Sequence, residues 1–313
     1  MLVFIAKRFL ATIPVMGVVA LVVFLMLRLS PGDPATVIAG DYASAADIER
    51  IRDKLGLAQP IAVQLGKWLW SLLHGDLGVS IFSDLPVTEL IVQRLEPTLM
   101  LALTTLTFTV VVAVPLGALA AWKAGSWIDR GIMIFSVAGF SVPVFVLGYL
   151  LIYGFAIDLK WFPVQGYSSP FDGIGPFARH IVLPTLTLSV IYIALIARIT
   201  RASVLEVLEE DYIRTARAKG QTETRVLLLH ALRNAAVPIV TVIGLGVALL
   251  IGGVVVTESV FNISGLGRLV VDAILKRDYP IIQGLILMFS FVYVLINLAI
   301  DIVYALIDPR IRY

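Results

Sequence analysis

Apolar residues run in long blocks along this chain, and the polar residues gather between them. Six stretches carry no Asp, Glu, Lys or Arg: Phe9–Leu27, Pro97–Trp122, Gly131–Ile157, Ile181–Ala197, Asn234–Thr257 and Tyr279–Ile300. About 20 apolar residues in a helix cross a hydrocarbon core of about 30 Å, so each block predicts a membrane span. Backbone groups in lipid must bond within their own segment, and these runs do not alternate in the way barrel strands do. The expectation is an all-α polytopic membrane protein with six transmembrane helices.

Composition agrees. The 313 residues are 59% hydrophobic and 15% charged, with mean hydropathy +0.96. Ordinary soluble domains are nearer 45–50% apolar and about 25% charged. The net charge of +2 and the lack of a dense Lys/Arg block give no reason to expect nucleic acid. The chain has no cysteine, so disulfides and thiolate chemistry are excluded, and His74, His180 and His230 lie far apart in sequence. No metal site is expected. Lys7 and Arg8 before an apolar run resemble a signal peptide, but the run is long and no small-residue cleavage site closes it, so a retained first span is expected.

Basic residues orient the spans, because Lys and Arg accumulate in cytoplasmic loops. Lys7 and Arg8 precede span one, Lys123 and Arg130 separate spans two and three, and Arg198 to Arg233 fill the loop between spans four and five. Arg310 and Arg312 close the chain. Both termini are therefore expected in the cytoplasm, with residues 28–96 outside. The chain reads as two parts: 1–96, a first span with a long structured outer loop, and 97–313, a five-helix core.

In the outer loop, Ser44-Ala45-Ala46-Asp47 resembles a capping box, with Ile48, Ile51 and Leu55 at helical spacing and Gly56 as a stop. Ile61, Leu65, Trp68, Leu69 and Leu72 form a second stripe. It reads either as a helix packed on the outer ends of the spans or as a platform for an external partner.

The loop between spans four and five holds Asp211-Tyr212-Ile213-Arg214-Thr215-Ala216-Arg217-Ala218-Lys219-Gly220. Asp211 is placed to cap a short helix, basic residues trail, and Gly220 suits a left-handed stop. Thr222 is placed to cap a second helix through Val226, Leu227 and Leu228 to Asn234, and Pro238 falls in the first turns of span five. The pattern is two short helices joined by a glycine just before a span.

This segment resembles the coupling-helix region of ABC importer permeases, and closely the dipeptide/oligopeptide/nickel and glutathione branch, first permease subunit. Further matching motifs are Pro31-Gly32-Asp33-Pro34, Leu55-Gly56-Leu57, Gly75-Asp76-Leu77-Gly78-Val79-Ser80, Thr257-Glu258, Gly265-Leu266-Gly267-Arg268, Arg277-Asp278-Tyr279-Pro280 and Asp308-Pro309-Arg310-Ile311-Arg312. Relative to the general pattern, Arg214 stands where a Glu is usual and Pro238 is the first proline after Gly220. The resemblance implies a type I importer permease fold in the bacterial cytoplasmic (inner) membrane. It implies a second, related permease chain, two ABC ATPase subunits and an extracytoplasmic solute-binding protein. It assigns ATPase coupling to Asp211–Gly220.

No phosphate loop occurs: Gly66-Lys67 is followed by Trp68 and has Ile61 where the first glycine belongs. The chain is thus expected to be no enzyme by itself and to hold no cofactor, ATP–Mg being bound by the partner ATPases. On the coupling segment, Ile213 and Ala216 share a face and are expected to enter the ATPase groove, with Arg214 and Arg217 near acidic groups at its rim. For the solute path the candidates are Glu258, Ser141 and Asn297. Glu258 suits either a peptide amino group or a bond to the Asn262–Gly267 loop. Ser141, with Ser136, Gly139, Pro143 and Gly148, suits close helix approach and a kink as well as binding. Peptides rank ahead of glutathione and nickel as solute. A secondary transporter or a channel subunit is the alternative, but no internal inverted repeat or midplane charge favours it.

Overall fold

A computed structural model describes residues 2–28, 33–40, 43–54 and 56–307. Leu55, Pro31-Gly32 and the closing Asp308–Arg312 motif, with Arg310 and Arg312, lie outside the described residues, as does the Lys7 side chain. The described chain is helical, and its one extended pairing is an isolated antiparallel bridge between Val79 and Pro86. Among the described residues, five helices are long and apolar enough to cross a membrane, or six if a bent pair counts as one span.

The helices are α1 (Leu2–Arg28), α2 (Pro34–Ala39), α3 (Ala45–Lys54), α4 (Ile61–Leu73), α5 (Val87–Trp122), α6 (Trp127–Ser141), α7 (Val144–Asp158) and α8 (Ile174–Leu208). They continue with α9 (Asp211–Ala218), an irregular α10 (residues 223–234), α11 (Ala236–Val260), α12 (Leu266–Lys276) and α13 (Tyr279–Ile307). Charge-free windows under-read several of them. α5 begins at Val87 and α8 runs from Ile174 to Leu208, because a helix continues past the lipid into charged sequence. The 35 residues of α8 reach about 50 Å, well beyond a core of about 30 Å.

The third span differs most from a straight rod. α6 and α7 meet at 103°. Val142 between them is extended (φ −87°, ψ 124°), and Pro143 follows. Proline clashes with a helical residue before it, so Val142 leaves the helix and the axis turns there. Near its end α7 widens to i→i+5 bonding over Ile152–Asp158.

The chain divides into two compact units. One joins Leu2–Glu96 to Gly265–Leu295. In it, Ser44 and Asp47 form the expected reciprocal cap: the Asp47 N–H donates to Ser44 Oγ at 3.2 Å, and the Ser44 N–H to Asp47 Oδ2 at 3.3 Å. Ile48 and Ile51 pack with Ala35, Leu57, Ile81 and Tyr279. Asp33 caps α2 and accepts from Arg52 Nη2 at 2.6 Å, which ties α2 to α3. Val87, Leu90 and Ile91 of α5 meet Leu266, Leu269, Ile281 and Leu285. A Cβ on Gly284 would lie 2.7 Å from Val87 Cγ1, so that contact requires glycine. Gln283 Nε2 donates to the Val23 carbonyl at 3.0 Å, binding α13 to α1.

The other unit comprises Pro97–Ser264 with the segment from Ile296 onward. α8 is its axis, buried along most of its middle. Small residues let neighbours approach it: a Cβ on Gly117 would meet the Ala197 carbonyl oxygen at 2.5 Å, and one on Gly139 would meet Val190 Cγ1 at 2.8 Å. Leu101, Leu183, Leu188, Leu250, Phe261 and Ile263 fill its largest core.

Candidate functional site

Past Ala197, α8 leaves its charge-free stretch and carries Arg198, Arg201 and Glu206. Arg201 makes a bidentate pair with Asp129 of α6, at 2.5 Å from Nε and 2.8 Å from Nη2. Asp129 is buried, also accepts from the Gly125 N–H at 2.9 Å, and stands three residues after the helix-capping Ser126. Counting basic residues along the chain makes Arg201 an orientation marker alone and says nothing of Asp129. The readable signal was the Ser126-x-x-Asp129 spacing.

α8 ends at Leu208 and the chain turns through Glu209 and Glu210 into α9. Glu210, with ψ 146°, occupies the cap position, so the helix starts one residue earlier than expected, and Asp211, the expected cap, is its first residue. No side chain caps this end. Asp211 nevertheless sits in the first turn, where a negative charge suits the helix dipole. It also accepts from Arg214 Nη1 at 3.3 Å.

The other end closes as expected. Gly220 has φ +80°, its N–H bonds the Arg217 carbonyl at 2.9 Å, and the Gln221 N–H bonds the Ala216 carbonyl at 3.2 Å. This is the Schellman arrangement, which satisfies the last carbonyls and stops the helix sharply. Arg217 then forks onto Glu223 Oε1 and Oε2 at 2.8 and 3.1 Å, fastening α9 to the start of α10. Thr222 occupies the cap position of α10 without a side-chain bond. α10 passes through i→i+5 turns at Val226–Ala231 and packs on both α8 and α9. Val204, Leu227, Ala231, Ala235, Ala118 and Ala121 form the apolar base below.

The outward face of α9 is not the one its spacing suggested. Ile213 is 0% exposed, enclosed by the chain itself, and Ala216 is half-buried. Ile213 is therefore the root of the helix and is unavailable to a groove on another protein. Tyr212, Arg214, Thr215, Arg217, Ala218, Lys219 and Gly220 are exposed. Desolvation, and then the charge of Glu210, raise the Tyr212 hydroxyl above the usual tyrosine value. The arrangement is a short projection with a mainly basic outer face and a buried apolar root at Ile213, packed on α10, which in turn packs on α8.

The path candidates occupy three settings. Glu258, near the end of α11, is fully buried and accepts from Thr98 Oγ1 of α5 at 2.5 Å. Its backbone carbonyl accepts from the Ile263 N–H at 2.9 Å, which meets the loop after α11 through main chain. Ser141 is exposed at the bend, its hydroxyl donating to the Val137 carbonyl at 2.8 Å. Asn297 is exposed on α13. Ser136 is buried, and Gly148 lies against Val260, Phe261 and Thr187.

The family described as the binding-protein-dependent transport system inner membrane component matches residues 113–313, and the N-terminal model of the same systems matches residues 1–102. This chain belongs to that family. A protein named "Probable peptide ABC transporter permease protein" from Sinorhizobium fredii is 56% identical over 99% of both chains. The glutathione transport system permease protein of Escherichia coli K12 is 46% identical over the whole of both. Among solved structures, an inward-facing MetNI methionine ABC transporter matches with a TM-score of 0.59 at 18% identity, covering 71% of this chain and 97% of that one, and shares its fold. The chain is thus a multi-pass permease subunit of an ABC importer, resident in the bacterial inner membrane.

Proposed function

We propose that this chain forms half of the translocation pathway of an importer for di- and oligopeptides, beside a second, related permease chain. Both termini lie in the cytoplasm, so α9 projects there and residues 29–86 lie outside. Two ATPase subunits bind ATP–Mg, and each permease chain presents one projection to one ATPase. An extracytoplasmic binding protein delivers the solute. The observation that carries this reading is α9 itself, stopped at Gly220, rooted by the buried Ile213 and exposed at Tyr212, Arg214, Thr215, Arg217 and Lys219.

The mechanism is a lever. ATP-driven closure of the ATPases draws the two projections together. Because α10 packs on α8 and α9, displacement of α9 reaches the inner ends of the fourth and fifth spans as a rigid-body tilt. The Asp129–Arg201 pair passes the same displacement to the third span. Tyr212, Thr215 and Lys219 make the ATPase contact, while Arg217 is held by Glu223. Ser141 and Asn297 supply polar groups to the path, and Glu258 holds the end of α11 to α5. The S. fredii relative's name favours peptides, and the E. coli relative's name makes glutathione the second reading.

The test is purification in mild detergent with identification of co-purifying chains, followed by uptake in a strain lacking this chain. Recovery of two phosphate-loop proteins and a second permease, with uptake of labelled dipeptide competed by peptides, is expected. A chain that moves solute in vesicles without ATP would overturn the proposal. Competition by glutathione alone would select the second reading.

A further inference from the structure

α4 has two faces of unlike company. Its inner face is pinned to the Arg28 end of α1: the Trp68 and Phe24 rings lie 5.5 Å apart, and Gln64 Oε1 accepts from Arg28 Nε at 2.9 Å. Trp68 and Leu72 pack with Ala20, Val23 and Leu287. Its other face is bare and apolar. Trp70 is 66% exposed and Leu73 is 82% exposed, with Val63 and Leu69 beside them. Lys67 is the one Asp, Glu, Lys or Arg residue in the helix.

We infer that α4 is a membrane-surface helix, its bare face of Val63, Leu69, Trp70 and Leu73 lying in the lipid interface at the Arg28 end of the first span. Three observations choose lipid as the occupant. First, α1 is itself largely exposed and apolar from Phe9 to Met26, apart from its seam at Ala20, Val23 and Phe24, so the helix to which α4 is fixed carries the surface of a lipid-facing span. The attachment at Phe24 and Arg28 then sets the depth of α4 at the end of that apolar band. Second, α3 in the same unit carries Asp47, Glu49, Arg50, Arg52 and Asp53 in a helix of similar length. A water-facing neighbour is charged, and α4 is not. Third, the α4 terminus is built for a boundary: the Trp70 and His74 rings lie 4.4 Å apart, and His74 Nδ1 is 2.8 Å from the Trp70 carbonyl. Indole and imidazole groups suit the headgroup level, and a lysine stem reaches from apolar surface to water.

The sequence has no cysteine, so single labels are straightforward. Val63→Cys, Trp70→Cys and Leu73→Cys, with Arg50→Cys as the α3 reference, are each spin-labelled in the full chain with its co-purifying subunits. The samples are nanodiscs of phosphatidylethanolamine and phosphatidylglycerol. Collision with oxygen, which partitions into lipid, is compared with collision with a water-soluble nickel chelate. The α4 sites are expected to favour oxygen several-fold over the Arg50 site. Val63→Cys and Leu73→Cys retain the tryptophan, so the reading does not depend on Trp70→Cys alone. Nickel access at the α4 sites equal to that at Arg50 would place the face in water. Low access to both probes would place it against protein. Either result overturns the inference.

Discussion

Ser80 Oγ donates to Asp278 Oδ2 at 2.5 Å, joining positions 198 residues apart. Both residues are 2% exposed. Asp278 also accepts from the Ile81 N–H at 3.4 Å, while Ser80 Oγ accepts from the Ser83 N–H at 3.1 Å. Ser80 of the Gly75–Ser80 motif and Asp278 of the Arg277–Pro280 motif therefore form a buried link that holds the outer loop to the start of α13. A hydrogen bond to a charged group contributes about 1.5–3 kcal/mol, and more is lost when a buried charge is left without it. Ser80→Ala is expected to lower the thermal midpoint of the purified chain. Asp278→Ala lowers it further, because it strips a partner from both Ser80 and Ile81. Unchanged midpoints in both variants would show that the link is dispensable.

Ile213 and Tyr212 are adjacent, yet they have opposite exposures and should fail differently. Ile213→Ala removes a fully buried side chain at a cost of about 2–5 kcal/mol, so it lowers expression and thermal stability. Tyr212→Ala removes a 44% exposed ring and changes stability by about 0.5 kcal/mol or less. If α9 contacts the ATPases through its exposed face, Tyr212→Ala retains the fold while uptake and solute-stimulated ATP hydrolysis fall together. Normal uptake in Tyr212→Ala would move the contact elsewhere.

These residues show what the sequence made legible. Long apolar runs revealed the spans, because lipid forces helices to be apolar over a fixed length. The Ser44–Asp47 cap and the Gly220 stop were legible because such signals are local. The face of α9 was not. An apolar residue at helical spacing marks a buried face, but spacing does not say whether the chain itself or a partner buries it, and here the chain buries Ile213. The 103° turn at Pro143 was foreshadowed by the proline, but its size comes from packing against α8 and α11. Asp129–Arg201 and Ser80–Asp278 were hidden because no periodicity links residues so far apart in sequence.

Asp129 and Arg201 should behave as a unit. The Asp129 side chain is 6% exposed and the Arg201 side chain 25%. Removing one member of such a pair leaves the other charge poorly compensated, at a cost of about 3–5 kcal/mol in enclosed sites. Arg201→Lys keeps the charge but loses the fork, so an intermediate loss is expected. Thermal midpoints of Asp129→Asn, Arg201→Lys and Arg201→Gln check the order. Equal losses for Lys and Gln would show that the fork geometry is immaterial.

The outer-loop carboxylates confer a pH dependence of definite sign. Hydrogen bonds from the Ser44 hydroxyl and backbone hold the Asp47 carboxyl below the usual aspartate range. At Asp33, desolvation pushes upward, but donation from Arg52, Thr36 and Ala35 outweighs it and the net shift is down. Carboxylates lowered in the folded state stabilise it above the unfolded pKa of about 3.9, and that contribution disappears as pH falls through the folded values. Hydrogen exchange in α2 and α3, corrected for intrinsic rates, should show full protection at neutral pH and loss only below about pH 4. Asp47→Asn should flatten this dependence in α3.

Gly220 offers the sharpest test of the lever, because nothing lies within 4 Å of where its Cβ would be. A side chain meets no clash there, so any effect comes from the left-handed backbone at φ +80°. That conformation costs an ordinary residue about 1–2 kcal/mol, while asparagine tolerates it better and β-branched residues tolerate it least. Uptake is expected to fall in the order Gly, Asn, Ala, Val, as the stop loosens and α9 frays. The spans are untouched, so basal ATP hydrolysis by the assembled transporter should survive while its stimulation by delivered solute is lost. Coupled uptake at the native rate in Gly220→Val would show that the sharp stop of α9 does not transmit the stroke.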